Sequence, residues 1–130
     1  MGKHQLTKVT AKLQVGPHPV VTTEELGELA GHNKVEQTWD LIKRLKRNHV
    51  IGQIPRMKGI YGIVGRTISR QDIADAWLRC HPAQGRVVNP RYHLDRIGAP
   101  VPLVEVTLHA RPKGLEHYVT VSRVRNLHQG

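Results

Sequence analysis

The spacing of apolar positions changes several times along the chain, and each change marks an element. Leu6, Val9, Leu13 and Val15 recur at roughly helical spacing, which predicts a short helix over 5–15. Gly16-Pro17-His18-Pro19 stops it, because each proline removes an amide donor and biases its predecessor to extended geometry. Val20-Val21 reads as a short strand or an extended lead-in. A second helix follows from Thr22 or Thr23 to about Ala30, burying Leu26, Leu29 and Ala30. Thr22 and Glu25 have capping-box spacing, and Gly31 can take the left-handed conformation that ends a helix. Val35, Trp39, Ile42 and Leu45 predict a third helix over about 34–48, with Leu41 at the edge of the stripe and Asn33 as its cap. Val50-Ile51 and Ile60–Val64 then bracket Pro55-Arg56-Met57-Lys58-Gly59, which predicts a β-hairpin with a basic tip.

The second half is less regular. Ser69 and Asp72 repeat the capping spacing, and Ile73, Ala74, Trp77 and Leu78 predict a helix over 70–80. Both tryptophans lie on apolar stripes and are expected in the core. The stretch from Pro82 to Gly85 breaks the chain. Pro90–Ile97 has room for one or two helical turns, with Pro90 suited to a first helical position. Val101–Ala110 and His117–Val124 alternate and predict strands paired around Pro112-Lys113-Gly114. The expected class is α+β, in two parts: 1–66, and a helix-plus-hairpin part over 67–130.

Composition sharpens this picture. The 130 residues carry a formal net charge of +10, and the stretch from Leu41 to Gln71 holds eight Lys or Arg and no acid. An excess of one sign concentrated in one segment favours a polyanionic partner. Hydrophobic residues make up 38% and Phe is absent, so the core must be built from Leu, Val and Ile and is modest. Cys80 is the one cysteine, which excludes an internal disulfide and fits a reducing, cytoplasmic setting, nucleoid-associated in a bacterium. No apolar run approaches the roughly 20 residues that span a bilayer. The first residues carry neither the apolar stretch of a signal peptide nor the Ser or Thr at position 6 of a myristoylation signal.

The order helix, turn, longer helix, basic hairpin resembles the winged helix-turn-helix superfamily of DNA-binding domains. The resemblance is carried by Thr22-Thr23-Glu24-Glu25-Leu26 for the first motif helix, Gly31-His32-Asn33 for the turn, Val35 to Leu45 for the recognition helix and Gly59-Ile60-Tyr61 for the return strand of the wing. With the preceding helix it covers about 5–66. It implies that the second motif helix enters the major groove, with Lys34, Gln37, Thr38, Lys43, Arg44 and Arg47 facing DNA and Arg56 and Lys58 on the wing. The second half echoes the first: Thr67-Ile68-Ser69-Arg70-Gln71-Asp72-Ile73-Ala74 is similar to Val21-Thr22-Thr23-Glu24-Glu25-Leu26, and Lys113-Gly114-Leu115 to Lys58-Gly59-Ile60. Two architectures stay open for 67–130: a small α+β extension, or a second, degenerate winged helix.

Other chemistry has little to stand on. Nine histidines form neither a Cys-x-x-Cys nor a His-Glu-x-x-His pattern, and Cys80 and His81 are adjacent, which strains joint ligation. His109 and His117 meet across the last hairpin in one register alone. Asp95 with Glu105-Val106-Thr107 is similar to the Asp, Glu-x-Lys arrangement of metal-dependent nucleases, but threonine stands where the lysine is required. No catalytic residue, cofactor or metal is therefore assigned. The expectation is a non-enzymatic protein that binds double-stranded DNA, as a small transcriptional regulator or a control protein of a phage or mobile element. Its partners would be duplex DNA and a second copy of itself, not a membrane. The alternative is a winged-helix module that docks on RNA polymerase or another enzyme, favoured by Glu36 and Asp40 on the reading face; RNA binding is third.

Overall fold

The computed structural model describes residues 3–88, 94–125 and 127. Among them are four α-helices and two three-stranded sheets, so the protein is α+β. The chain divides into two compact units, one made of Met1–Ile54 with Lys58–Ile68 and the other of Pro55–Met57 with Ser69–Gly130. No described helix is long and apolar enough to cross a membrane.

The first unit runs α1 (Lys3–Val15), β1 (Val20–Thr22), α2 (Thr23–Ala30), α3 (Val35–Arg47), β2 (Ile51–Gln53) and β3 (Ile60–Ile63). Both β1 and β2 pair antiparallel with β3, giving the order β1-β3-β2. The Thr22–Glu25 capping box forms with both of its hydrogen bonds, and Gly31 closes α2 in the left-handed conformation at φ 71°. Val9 and Leu13 of α1, Leu26 of α2, Leu41, Ile42 and Leu45 of α3, and Tyr61 and Ile63 of β3 bury one another. Each fully buried leucine in such a cluster contributes about 1.5–3 kcal/mol.

The third helix departs from its expected face. Its buried residues are Thr38, Leu41, Ile42 and Leu45, whereas Val35 is 48% and Trp39 53% exposed. The inward stripe therefore centres on Leu41 and Leu45, and Trp39 lies outside the core. The cause is local. A Cβ on Gly27 of α2 would stand 2.8 Å from the Thr38 hydroxyl, so the glycine lets Thr38 seat against the α2 backbone. The buried hydroxyl is matched by Nδ1 of His32 at 3.1 Å, which removes most of the cost of burying it. Nor does Asn33 cap this helix. The N-cap is Lys34, with no side-chain hydrogen bond, so the first turn of α3 lacks the cap that α2 has.

The second unit contains α4 (Arg70–Cys80), β4 (Gly85–Val88), β5 (Leu103–Thr107), a 3-10 turn (Leu115–His117) and β6 (Thr120–Val124). Ser69 and Asp72 form the expected capping box. Ile73, Ala74, Ala76 and Trp77 are buried on α4, and Val104, Val106, Leu115 and Val119 are buried elsewhere in the unit. The last two strands pair, but in parallel, with Val104 opposite Val121 and Val106 opposite Arg123. Alternation of apolar residues does not distinguish the two directions. What decides is the connection: the stretch from Leu108 to Val119 supplies the dozen or so residues a parallel crossover needs, and Gly114 at φ 88° starts a 3-10 turn whose Leu115 is fully buried. His109 and His117 consequently do not face each other across a hairpin.

Residues 90–93 of the expected Pro90–Ile97 turn lie outside the described residues. Leu94 instead bridges Pro100, and Asp95 organises a tight turn through Ala99. With one α-helix and a mixed sheet in the order β4-β5-β6, the described part of the second unit does not repeat the first.

Candidate nucleic-acid interface

The faces of α3 follow from its buried stripe. With Thr38, Leu41, Ile42 and Leu45 turned inward, a period of 3.6 residues places Glu36, Asp40, Lys43 and Arg47 outward. Gln37 and Arg44 fall on one flank of that face, and Val35, Trp39 and Lys46 on the other. All nine are exposed. Lys34 is exposed just ahead of them.

The charges along α3 are sorted, with Glu36 in its first turn and Arg44, Lys46 and Arg47 in its last. This order complements the helix dipole and stabilises the helix by roughly 0.3–1 kcal/mol per favourable charge. It also gathers the cations at one end. Asn48 ties down that end, its side-chain amide donating to the Arg44 carbonyl at 2.8 Å. Lys46 sits over the Tyr61 ring at 5.2 Å, a cation–π contact between α3 and β3. Among the described residues, Lys43 and Arg47 are held in no ion pair. Their charge is therefore available to an external anion.

Of the residues expected to face DNA, Lys34, Gln37, Lys43, Arg44 and Arg47 do lie on exposed faces of one helix or at its start. Thr38 does not. It is 4% exposed, and its hydroxyl is engaged by His32. His32, read in the sequence only as part of the Gly31-His32-Asn33 turn, organises the turn before α3: its Nε2 lies 3.4 Å from the Gln5 amide nitrogen, which also donates to the Ala30 carbonyl at 2.9 Å. The signal that could have found this arrangement is the pairing of a glycine in mid-α2 with a short hydroxyl residue in α3.

The expected wing is divided. Lys58 is exposed and belongs to the first unit. Pro55, Arg56 and Met57 belong to the second. There the Tyr118 hydroxyl donates to the Pro55 carbonyl at 2.6 Å, Met57 is 2% exposed, and Arg56, at φ 66°, donates from Nη1 to Nε2 of His117 at 3.0 Å. The Arg56 carbonyl lies so close to Gly114 that a Cβ there would collide with it. Arg56 is exposed, but its guanidinium is partly committed to the second unit's own histidine.

The carboxylates considered for catalysis have local partners. Asp95 pairs with Arg70 at 3.2 Å and Glu105 with Arg86 at 3.1 Å. The Ala99 amide above all, then the Ile97 amide and Arg70, hold the Asp95 carboxyl below its ordinary value. Among the described residues, no group of three or more His, Cys, Asp or Glu side chains gathers as a metal site would.

No family model matches the chain. No curated protein matches it. Among solved structures it is similar to the crystal structure of the RV2827C protein from Mycobacterium tuberculosis, with a TM-score of 0.63 at 22% identity over 96% of this chain. The chain spans about half, 46%, of that protein. The likeness is one of fold.

Proposed function

We propose that this protein binds double-stranded DNA, with α3 as the element that enters the groove and the β2–β3 hairpin beside it as a wing. The role in view is that of a small transcriptional regulator or a control protein of a phage or mobile element. The order helix, strand, helix, helix, strand, strand, with the sheet order β1-β3-β2, supports the winged-helix reading. The observation that carries the function is the exposure of Lys43, Arg44 and Arg47 together at one end of α3. Cations so placed contact phosphates and fix register, while Gln37 on the same helix can hydrogen-bond base edges. The mechanism is passive: phosphate neutralisation supplies affinity and the side chains of α3 supply sequence choice.

Glu36 and Asp40 on the same outward face favour a second reading, in which this helix docks on a basic or mixed protein surface such as that of an RNA polymerase. Fold does not decide between them. Neutralisation does. The double variant Glu36→Gln with Asp40→Asn removes two negative charges from the face, so a duplex ligand is bound more tightly by it. A protein partner recognised through those acids is bound more weakly. Arg44→Glu with Arg47→Glu should abolish duplex binding while circular dichroism stays unchanged, since both residues are exposed. Unchanged affinity in that variant would remove α3 from the interface.

A further inference from the structure

The second unit carries a cationic cleft of its own. Arg111, Pro112, Lys113, Glu116, Val121 and Arg123 line a cavity of about 590 Å³. The local sequence dictates how the cations are presented. The Lys113 amide donates to the Arg111 carbonyl at 2.8 Å, a three-residue turn centred on Pro112, whose fixed φ suits it. The Leu115 amide then donates to the Pro112 carbonyl at 3.0 Å, closing a second turn in which Gly114 takes φ 88°. Pro112 and Leu115 are buried, so both turns are anchored from within, and Arg111 and Lys113 are left exposed. On β6, Val121 and Arg123 are two residues apart and share one side of the strand; Val121 is half-buried and Arg123 exposed. Among the described residues, Arg111, Lys113 and Arg123 are held in no ion pair. Glu116 is the one carboxylate among the lining residues, so the cleft is net positive.

We infer that this cleft is a phosphate-contacting site for the backbone of a nucleic acid, separate from α3. Like charges held at one cleft repel each other and focus a positive field, and an anionic ligand relieves the first and is drawn by the second. Exposure decides between a small anion and a chain. Small-ligand sites enclose most of their ligand and orient it with a few placed polar groups. Here all three cations are exposed, and no lining residue offers a buried polar side chain to fix a lone phosphate. Successive phosphates of a chain instead engage the three together. Continuity points the same way: the Arg56 carbonyl, in the same unit, abuts Gly114 next to Lys113, so the segment packs against a residue expected to touch DNA. Nucleic acid as the polyanion rests on the duplex-binding reading above, with the contact now placed on the second unit.

The test is the salt dependence of duplex binding by the full-length chain and three triple variants. Arg111→Gln, Lys113→Gln and Arg123→Gln together should flatten the log–log slope by roughly 3, about 1 for each cation on a phosphate, and weaken binding uniformly across sequences. Arg111→Lys, Lys113→Arg and Arg123→Lys together keep the charges and should keep the slope. Lys8→Gln, Lys12→Gln and Arg96→Gln remove the same charge from exposed positions elsewhere and should leave the slope nearly unchanged. If the neutral cleft variant behaves like this last control, the cleft is overturned and duplex binding through α3 stands. Unchanged affinity in Arg44→Glu with Arg47→Glu, beside a flattened slope in the neutral cleft variant, removes α3 and leaves the cleft. Inorganic triphosphate or poly-glutamate at equal anionic charge should not lower wild-type affinity to that of the neutral cleft variant. If either does so while sparing that variant, the cleft takes a small anion or an acidic protein and the backbone assignment is overturned. A wild type that binds no duplex overturns both readings.

Discussion

Trp39 on α3 and Trp77 on α4 sit on helices of 13 and 11 residues, each on an apolar stripe, and end in opposite places. Trp77 is 3% exposed, stacked on His81 with ring centroids 4.4 Å apart and packed so close to Gly85 of β4 that a Cβ there would stand 3.1 Å from the indole. Trp39 is more than half exposed. On α4 the apolar residues define one phase, so the stripe and the core coincide. On α3 they spread over two. One phase runs through Val35 and Trp39, the other through Thr38, Leu41, Ile42 and Leu45, and the second is the one buried. A short hydroxyl side chain facing a glycine on the neighbouring helix wins over a large indole, because it allows closer approach and its polar atom finds a partner in His32.

The contrast can be broken by substitution, and the largest effect falls on the buried tryptophan. Trp77→Ala should lower stability by about 3–5 kcal/mol, the cost of an unfilled aromatic cavity, whereas Trp39→Ala should stay within roughly 0.5 kcal/mol, as exposed positions do. Scanning calorimetry of the two variants reads both values. Equal losses would mean that Trp39 is core after all.

A smaller effect sharpens the reason for the rotation of α3. Gly27→Val places side-chain atoms where the Thr38 hydroxyl lies and should cost about 1–3 kcal/mol through overpacking. Thr38→Ala in the same chain should recover most of that loss, a coupling that independent sites would not show. The smallest contrast is between caps. Ser69→Ala removes the side-chain acceptor that holds the Asp72 amide and should cost about 1 kcal/mol. Asn33→Ala, at the expected cap that the structure leaves unused, should change stability by less than about 0.5 kcal/mol in urea titration.

These particulars mark how far the sequence could be read. The helices α2 and α4 were legible because their signals are local: a Thr or Ser three residues before an acid, a stripe with one phase and, for α2, a glycine after the last apolar position. The β2–β3 hairpin was legible because two apolar runs bracket a stretch of turn residues. The face of α3 was not, since its phase is set by Gly27 and His32 on another part of the chain, and a helical period cannot choose between two adequate stripes. The direction of β5 against β6 was not legible either. Alternating Val104 and Val106 fit either pairing, and the choice rests on the buried Leu115 within the connection. At the proposed interface, the exposed cations were legible from charge spacing. Thr38 was expected on the surface and Trp39 in the core, and both were misplaced for the same reason, the unresolved phase of one helix. The assignment of Pro55–Met57 to the second unit depends on Tyr118, His117 and Gly114, some 60 residues on, and no local pattern announces it.

The most direct test of the account is the salt dependence of binding to a labelled random duplex of about 30 base pairs, followed by fluorescence anisotropy with single-stranded RNA as competitor. Contacts with about six phosphates give a log–log slope near roughly −5, with the duplex preferred over RNA. A slope near zero, or ready displacement by the RNA, would contradict duplex DNA as the ligand of this helix.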